Sequence, residues 1–334
     1  MRRAILRIAI SALLCGGGWT CIARAQQSQR STKPVEALQI QPGFYMLTGA
    51  GGNIAVQIGP DGVVLVDAGS AEKADDVLVA IKKLTDRPIR YIINTSPDAD
   101  HVGGNEKIAQ AGQSLFPAAQ GGGGGPAIAI NNGGSASIVG TENLLTRMSA
   151  PTGKTSPFPT VAWPTETFTR NQKNLYLNRE GIAVMAEPAA HTDSDSVVFF
   201  RRSDVIVTGD ILDITRFPVI DLEKGGSIQG EIDALNRLVD LAIPSIPLPF
   251  QEGGTQIVPG HGRVCEQAEV VEYRDMVTII RDVIADMIAK GMTLEQIKAA
   301  SPTRGYTRRY GSESGTWTTN MFVEAVYRSL TVRK

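Results

Sequence analysis

The chain is poor in the residue types that usually announce a function. It has three cysteines, at positions 15, 21 and 265, three histidines, and aromatic residues at only 6% of 334 positions. Basic and acidic side chains nearly cancel, 33 against 34, and the formal net charge of −1 gives no field that would draw nucleic acid or an anionic membrane. No apolar run approaches the ~20 residues needed to cross hydrocarbon. What remains, 42% hydrophobic and 20% charged residues, is the composition of a globular protein with ample core.

The first residues carry a processing pattern. Met1-Arg2-Arg3 precedes an apolar stretch from Ala4 to Leu14, and Ala23-Arg24-Ala25 stands just before Gln26. A charged start, a short apolar segment and an A-x-A site predict a signal peptide over 1–25, cleaved after Ala25. The mature protein is then periplasmic or secreted, with no stable membrane anchor. Cys15 and Cys21 leave with the signal, so Cys265 is left without an internal partner and is expected as a small buried residue.

A polar segment over 26–40 reads as a flexible spacer. Strand patterns follow at Phe44–Leu47, Ile54–Ile58 and Val63–Asp67, with a turn at Gly59-Pro60-Asp61-Gly62. Helical spacing over Ala71–Leu84 leads to an apolar strand at Ile89–Ile93, which delivers Ser96 to His101 into a loop. The glycine run at Gln120–Pro126 lacks the Gly-Lys-Ser/Thr ending of a phosphate loop, and residues 112–138 and 151–164 read as loops beside the site. Asn143–Met148 then reads as a helix. The second half repeats the theme with strands at Leu175–Leu177, Ile182–Ala186, Val197–Phe200, Val205–Thr208 and Ile257–Val258, and a helix at Glu231–Leu241. Helical patterns at Glu266–Lys290, Leu294–Ala300 and Thr318–Leu330 close the chain. Two β-rich halves with helices outside predict an α+β fold, an αββα sandwich of two mixed sheets over 41–265, with a helical C-terminal extension over 266–334. That extension can pack on the sandwich or cover the site.

All three histidines fall at strand-end or turn sequences: His101 after Asp98-Ala99-Asp100, His191 after Ala189-Ala190, and His261 in Pro259-Gly260-His261-Gly262. Asp210, in Val207-Thr208-Gly209-Asp210, has the same placement. Imidazole nitrogens and carboxylate oxygens suit a divalent ion such as zinc, and Asp98-Ala99-Asp100-His101 crowds like charges that a cation would offset.

The run Asn94-Thr95-Ser96-Pro97-Asp98-Ala99-Asp100-His101-Val102-Gly103-Gly104-Asn105 resembles the T-H-x-H-x-D-H-x-G-G signature of the metallo-β-lactamase superfamily. Val66-Asp67-Ala68-Gly69, Ala190-His191-Thr192, Thr208-Gly209-Asp210 and Pro259-Gly260-His261-Gly262 follow that family's order. The resemblance implies a two-metal hydrolase. The residues matching Asp100, His101 and His261 hold one ion, the residue matching Asp210 bridges, and Ser96 and Asp98 stand where two histidines would hold the other ion with His191.

The Asp100 position therefore has four good ligands, and one zinc ion is expected there. The Asp98 position, with Asp98, His191 and the shared Asp210, is either empty or suited to a harder ion such as manganese. Asp98 or Asp100 is the expected proton acceptor for a metal-activated water. Asp67 is expected to orient a ligand histidine. The resulting expectation is an exported metal-dependent hydrolase acting on a small ester, thioester or amide, with β-lactamase activity not expected to be primary. The alternative is a non-catalytic or metal-handling binding protein on the same fold, because Ser96 and Asp98 replace the usual histidines. The patch Tyr306, Arg308, Arg309, Tyr310 reads as a solvated helix cap rather than a nucleic-acid contact, and Trp163 and Phe168 read as core. Oligomeric state is not legible.

Overall fold

In the computed structural model, residues 34–115, 134–150, 154–245 and 253–331 are described, and their strands form two sheets. The expected signal segment with Cys15 and Cys21, most of the spacer, the glycine run at 120–126 and residues 151–153 lie outside the described residues. The first sheet pairs, in chain order, β1 (Glu36–Gln41), β2 (Phe44–Ala50), β3 (Gly52–Gly59), β4 (Gly62–Val66), β5 (Ile89–Ile93), β6 (Ser137–Thr141) and β7 (Glu166–Phe168). Pairing is antiparallel through β4 and parallel from β4 to β7. The second sheet contains β8 (Gln172–Leu177), β9 (Glu180–Glu187), β10 (Asp195–Phe200), β11 (Val205–Asp213) and β12 (Gln256–His261), in the order β12-β11-β10-β9-β8. Only β11 and β12 are parallel there. The helices are α1 (Ala74–Leu84), α2 (Ala99–Val102), α3 (Asn105–Ala111), α4 (Glu142–Met148), α5 (Ile228–Leu241), α6 (Gln267–Ala289), α7 (Leu294–Ala300), α8 (Thr307–Tyr310) and α9 (Thr319–Thr331).

The unbroken apolar run of β4 follows from cover on both faces. Val63 and Leu65 pack outward with Val77 and Ile81 of α1 and Ile108 of α3, while Val64 and Val66 pack inward between the sheets. The second sheet alternates in the same way: Val205 and Val207 of β11 face the first sheet, and Ile206 faces a helical layer. That layer contains Ile232 and Leu235 of α5, Tyr273 and Val277 of α6, and Phe322 and Val323 of α9. The helices after Glu266 thus pack on the sandwich. Phe217 stacks on Phe322 at 4.8 Å, and the buried Tyr310 meets Tyr273 edge-on at 5.5 Å. The tyrosine end of the basic patch is therefore core, and Arg309 pairs with Glu272. Trp163 packs beside Val102, Leu144 and Met148. No helix among the described residues is long and apolar enough to cross a membrane.

Four local expectations change. The spacer over 26–40 gives way to β1 from Glu36, an edge strand held by backbone pairing to β2 while most of its side chains stay exposed, so no burial pattern betrays it. Ser137–Thr141, at the end of the expected loop over 112–138, is strand β6, and Phe168 ends the three-residue β7. β7, at three residues, is too short for periodicity to register, and in β6 Ser137, Gly140 and Thr141 leave only Ile138 and Val139 as an apolar signal. Ala99–Val102 forms a helical turn within the expected loop. β11 runs on to Asp213, so Asp210 lies within a strand and not beyond its end, at a place where the pairing register with β12 shifts.

The inter-sheet core holds Phe44 and Phe200 edge-on at 4.8 Å, both fully buried. Phe200→Ala is expected to destabilise the protein by about 3–5 kcal/mol in urea unfolding, through lost transfer energy and the cavity left behind. A loss below about 1 kcal/mol would show that the sheets do not depend on this contact.

Candidate metal centre

Asp67 and the loop carrying Asp98 to His101 follow the parallel strands β4 and β5, His261 ends β12, Asp210 lies within β11, and His191 lies between the antiparallel β9 and β10. Asp67 follows β4 with a left-handed backbone (φ 67°), and its carboxylate accepts from Thr95 N–H at 2.8 Å, Thr95 Oγ1–H at 2.6 Å and His101 Nδ1–H at 2.7 Å. One carboxylate thereby fixes the loop after β5 and the orientation of a histidine. The reciprocal amide bonds of buried Asn94 and Asn105, 3.1 and 2.8 Å, clamp the two ends of the same loop. Across the sandwich, Asn53 Nδ2 donates to Pro259 O and Gly262 O, both at 2.9 Å, and so holds the backbone on either side of His261. Gly260 is required beside it, because a Cβ there would come within 2.5 Å of Asp210 Oδ1.

With Nδ1–H committed to Asp67, His101 presents a lone pair at Nε2. That atom lies 3.1 Å from Asp210 Oδ1, which is 3.4 Å from His261 Nε2, and His261 Nε2 is 3.2 Å from Asp100 Oδ2. Yet His101 Nε2, Asp210 Oδ1 and His261 Nε2 are buried without a hydrogen-bond partner. Donor atoms that converge at such distances without bonding one another fit a cation among them, since leaving them unpaired is costly. The residues present therefore fit a divalent ion. Burial alone would lower the His101 pKa, but Asp210 and Asp67 push it well above the ordinary histidine value. Burial likewise opposes ionisation of Asp210, but His101, His191 and His261 hold it well below the usual carboxylate range. A proton and a metal ion thus compete for the same lone pairs.

Asp98, His191 and Asp210 also bring donor atoms within 4.8 Å of one another, but the bonding differs. His191 Nε2 lies 2.9 Å from Asp98 Oδ2, and His191 Nδ1 lies 2.8 Å from Val219 O. Lys224 Nζ donates to Asp98 Oδ1 at 2.6 Å. Asp210 Oδ2 is 3.9 Å from His191 Nε2, so Asp210 turns one oxygen toward each group. Burial would raise the Asp98 pKa, but His191 and Lys224 hold it well below the usual range. The His191 pKa is pushed up to about 10, since Asp98, Asp195 and Asp210 outweigh its burial. Ser96 is fully buried, and its Oγ accepts a long 3.4 Å bond from Asp98 N–H.

The structure therefore brings together all six residues expected at the site, and it places Asp67 on His101 as expected. Three neighbours escaped the sequence: Asn53, Lys224 and Glu231. Each lies on a segment with no chemical motif of its own, and Lys224 is 126 residues from Asp98. Glu231 of α5 is fully buried, neither of its carboxyl oxygens has a hydrogen-bond partner, and burial together with Asp195 pushes its pKa well above the ordinary value. Cys265 is buried, with its thiol pushed up to about 12 by burial, which removes it as a nucleophile at ordinary pH.

The family model described as the metallo-beta-lactamase superfamily matches residues 47–246. A linear primary-alkylsulfatase from Pseudomonas sp. (strain ATCC 19151) is 23% identical over 274 residues, which cover 74% of this chain and 50% of that protein. Among solved structures, the stereoselective inverting sec-alkylsulfatase Pisa1 from Pseudomonas sp. aligns with a TM-score of 0.59 at 13% identity, over 88% of this chain and 50% of its own. A metallo-beta-lactamase from Pontibacter korlensis aligns with a TM-score of 0.53 at 16% identity, over 73% of this chain and 99% of its own. The chain spans about half the length of the alkylsulfatases it matches. At these identities the solved structures show a shared fold.

Two measurements test the site. Asp67→Asn keeps a side chain that tolerates the left-handed backbone but weakens the acceptor for His101; metal affinity by chelator competition should fall roughly 10–100-fold with the fold intact. An unchanged affinity would remove Asp67 from the metal centre. Glu231 holds its proton in the folded state to a higher pH than the unfolded value of 4.5, so its contribution to stability falls as pH rises through that window. Glu231→Met is expected to stabilise the protein by ~1–3 kcal/mol, more at pH 8 than at pH 5, in denaturant unfolding of the metal-free chain.

Proposed function

The chain belongs to the metallo-beta-lactamase superfamily, and we propose that it is a metallo-hydrolase that cleaves a small ester with one divalent ion, zinc, held by Asp100, His101, Asp210 and His261. The observation that carries this reading is the convergence of buried, unbonded donor atoms at His101 Nε2, Asp210 Oδ1 and His261 Nε2. The similarity to alkylsulfatases supports sulfate esters as the first substrates to try, ahead of carboxylate esters, thioesters and amides.

When bound, the ion supplies Lewis acidity and brings the pKa of a water toward ~7. The remaining work falls to the side chains. Asp67 holds His101 in the tautomer that leaves Nε2 unprotonated. Asn53 and Gly260 keep His261 and Asp210 at their separation. Asp100 would be the proton acceptor at the site, since its side chain is the more exposed of the two candidates at 37% against 26% for Asp98. Asp98, with both oxygens engaged by His191 and Lys224, stays ionised and holds that edge of the site in place.

Activity against a panel of alkyl sulfates, carboxylate esters, thioesters and amides should appear on loading with zinc and disappear with a chelator. His101→Ala and Asp210→Asn should each lower kcat/KM by roughly a thousandfold, about 4 kcal/mol of transition-state stabilisation. Full activity in the chelated protein would overturn the reading. The N-terminal pattern supports a periplasmic or secreted location, and N-terminal sequencing of the processed chain should then begin at Gln26. A retained Met1 in the periplasmic fraction would contradict cleavage.

A further inference from the structure

The two donor groups of the site differ in one respect: one contains unbonded donors and the other is already bonded. At the Asp100 position three donor atoms are buried without partners. At the Asp98 position Asp98 Oδ2 meets His191 Nε2 at 2.9 Å and Asp98 Oδ1 meets Lys224 Nζ at 2.6 Å, so both carboxylate oxygens are engaged. His191 is held on both sides by oxygens, Nδ1 at 2.8 Å from Val219 O and Nε2 at 2.9 Å from Asp98 Oδ2, so the lysine and the imidazole together take up both oxygens of Asp98. Asp98 is also the N-cap of α2, yet its side chain makes no cap bond. A carboxylate at that position usually accepts from the first turn of its helix. Here it turns away to reach the imidazole and the ammonium.

Lys224 is placed there by a loop sewn to the backbone around His191. Asp221 N–H donates to His191 O at 2.9 Å, Asp193 N–H donates to Lys224 O at 2.9 Å, and Ser227 N–H donates to Ala189 O at 2.9 Å. Gly226 lies so close that a Cβ would come within 2.1 Å of His191 O. Asp221 supports the lysine from the other side, with Oδ2 at 3.1 Å from Nζ and Oδ1 accepting Lys224 N–H at 3.0 Å. The loop that fixes His191 through Val219 O therefore also carries the cation that meets Asp98.

We infer that the Lys224 ammonium stands in for the second metal ion: it occupies the cation position at Asp98, and the protein holds a single divalent ion at Asp100, His101, Asp210 and His261. This rests on the metallo-hydrolase reading only for the presence of that single ion. The ammonium offsets the negative charge of Asp98, and it raises the electrostatic barrier to a further dication beside that carboxylate. Lys224 keeps its side chain about a third exposed, at 36%, so part of its positive charge faces solvent beside the site.

The test is metal stoichiometry, read by mass spectrometry after the full chain is equilibrated with excess zinc and, separately, manganese, then desalted. The wild type and Lys224→Arg, which retains a cation, should each hold about one ion per chain. Lys224→Met should gain a second equivalent, bound roughly tenfold or more tightly than any second equivalent in the wild type, the scale on which neighbouring groups alter metal affinity. Circular dichroism of each variant establishes that it is folded, and Lys224→Gln serves if the methionine variant is not. Two tightly held ions in the wild type would overturn this inference and leave the hydrolase reading standing. Wild type without bound metal would overturn both. A second equivalent that is no tighter in Lys224→Met and Lys224→Gln than in the wild type would show that Lys224 is not what excludes the ion.

Discussion

The centre depends on a short hydrogen bond between two buried groups, Asp67 and His101, at 2.7 Å. Asp67 accepts the Nδ1–H of a fully buried imidazole and so aims Nε2 at Asp210, 3.1 Å away. A ring nitrogen and a carboxylate oxygen held that close in a low-dielectric site call for a proton or a metal ion between them. The same carboxylate binds Thr95 through both its N–H and its hydroxyl, so the loop after β5 cannot relax to draw the two atoms apart. The left-handed backbone at Asp67 is strain stored at the site and held there by these three bonds.

The surrounding sandwich makes that strain sustainable. β4 is buried on both faces, and β5 runs parallel beside it, so Asp67 and the loop carrying His101 leave the sheet at the same edge. In the second sheet the parallel pair β11 and β12 brings Asp210 and His261 to the facing edge, with register shifts that let Asp210 turn inward from within a strand. Asn53 of β3 donates to the backbone on both sides of His261 and so ties one sheet to the other at the site. Packing of α5, α6 and α9 on the outer face keeps the second sheet in place, and it makes the C-terminal helices part of the scaffold for Asp210 and His261.

The two halves of the centre show how similar side chains reach opposite solutions. His101 and His191 are both buried and both face carboxylates. His101 has one nitrogen bonded and one unpaired, which is the arrangement of a ligand. His191 has both nitrogens against oxygens, and Lys224 completes the charge balance at Asp98. The comparison with alkylsulfatases and a metallo-beta-lactamase establishes the fold; what the site does with its cations follows from its own residues.

Most strands and helices were legible because their burial is periodic: α7 and β5 match the sequence pattern at both ends, and β4 reads as a two-sided core strand. The edge strands β1 and β7 were not, since backbone pairing holds them without a buried face. The six charged residues of the centre stood out because histidine is scarce and each sits at a turn-like run. Their identity and order along the chain marked a candidate cation site. Which donors are left unpaired, and the arrival of Lys224 at Asp98 from 126 residues away, was decided by the packing of two sheets whose facing edges no local pattern encodes. Sequence specifies the ligand types through their chemistry; only the fold sets which lone pairs share a point in space, and that decides how many ions the site can hold.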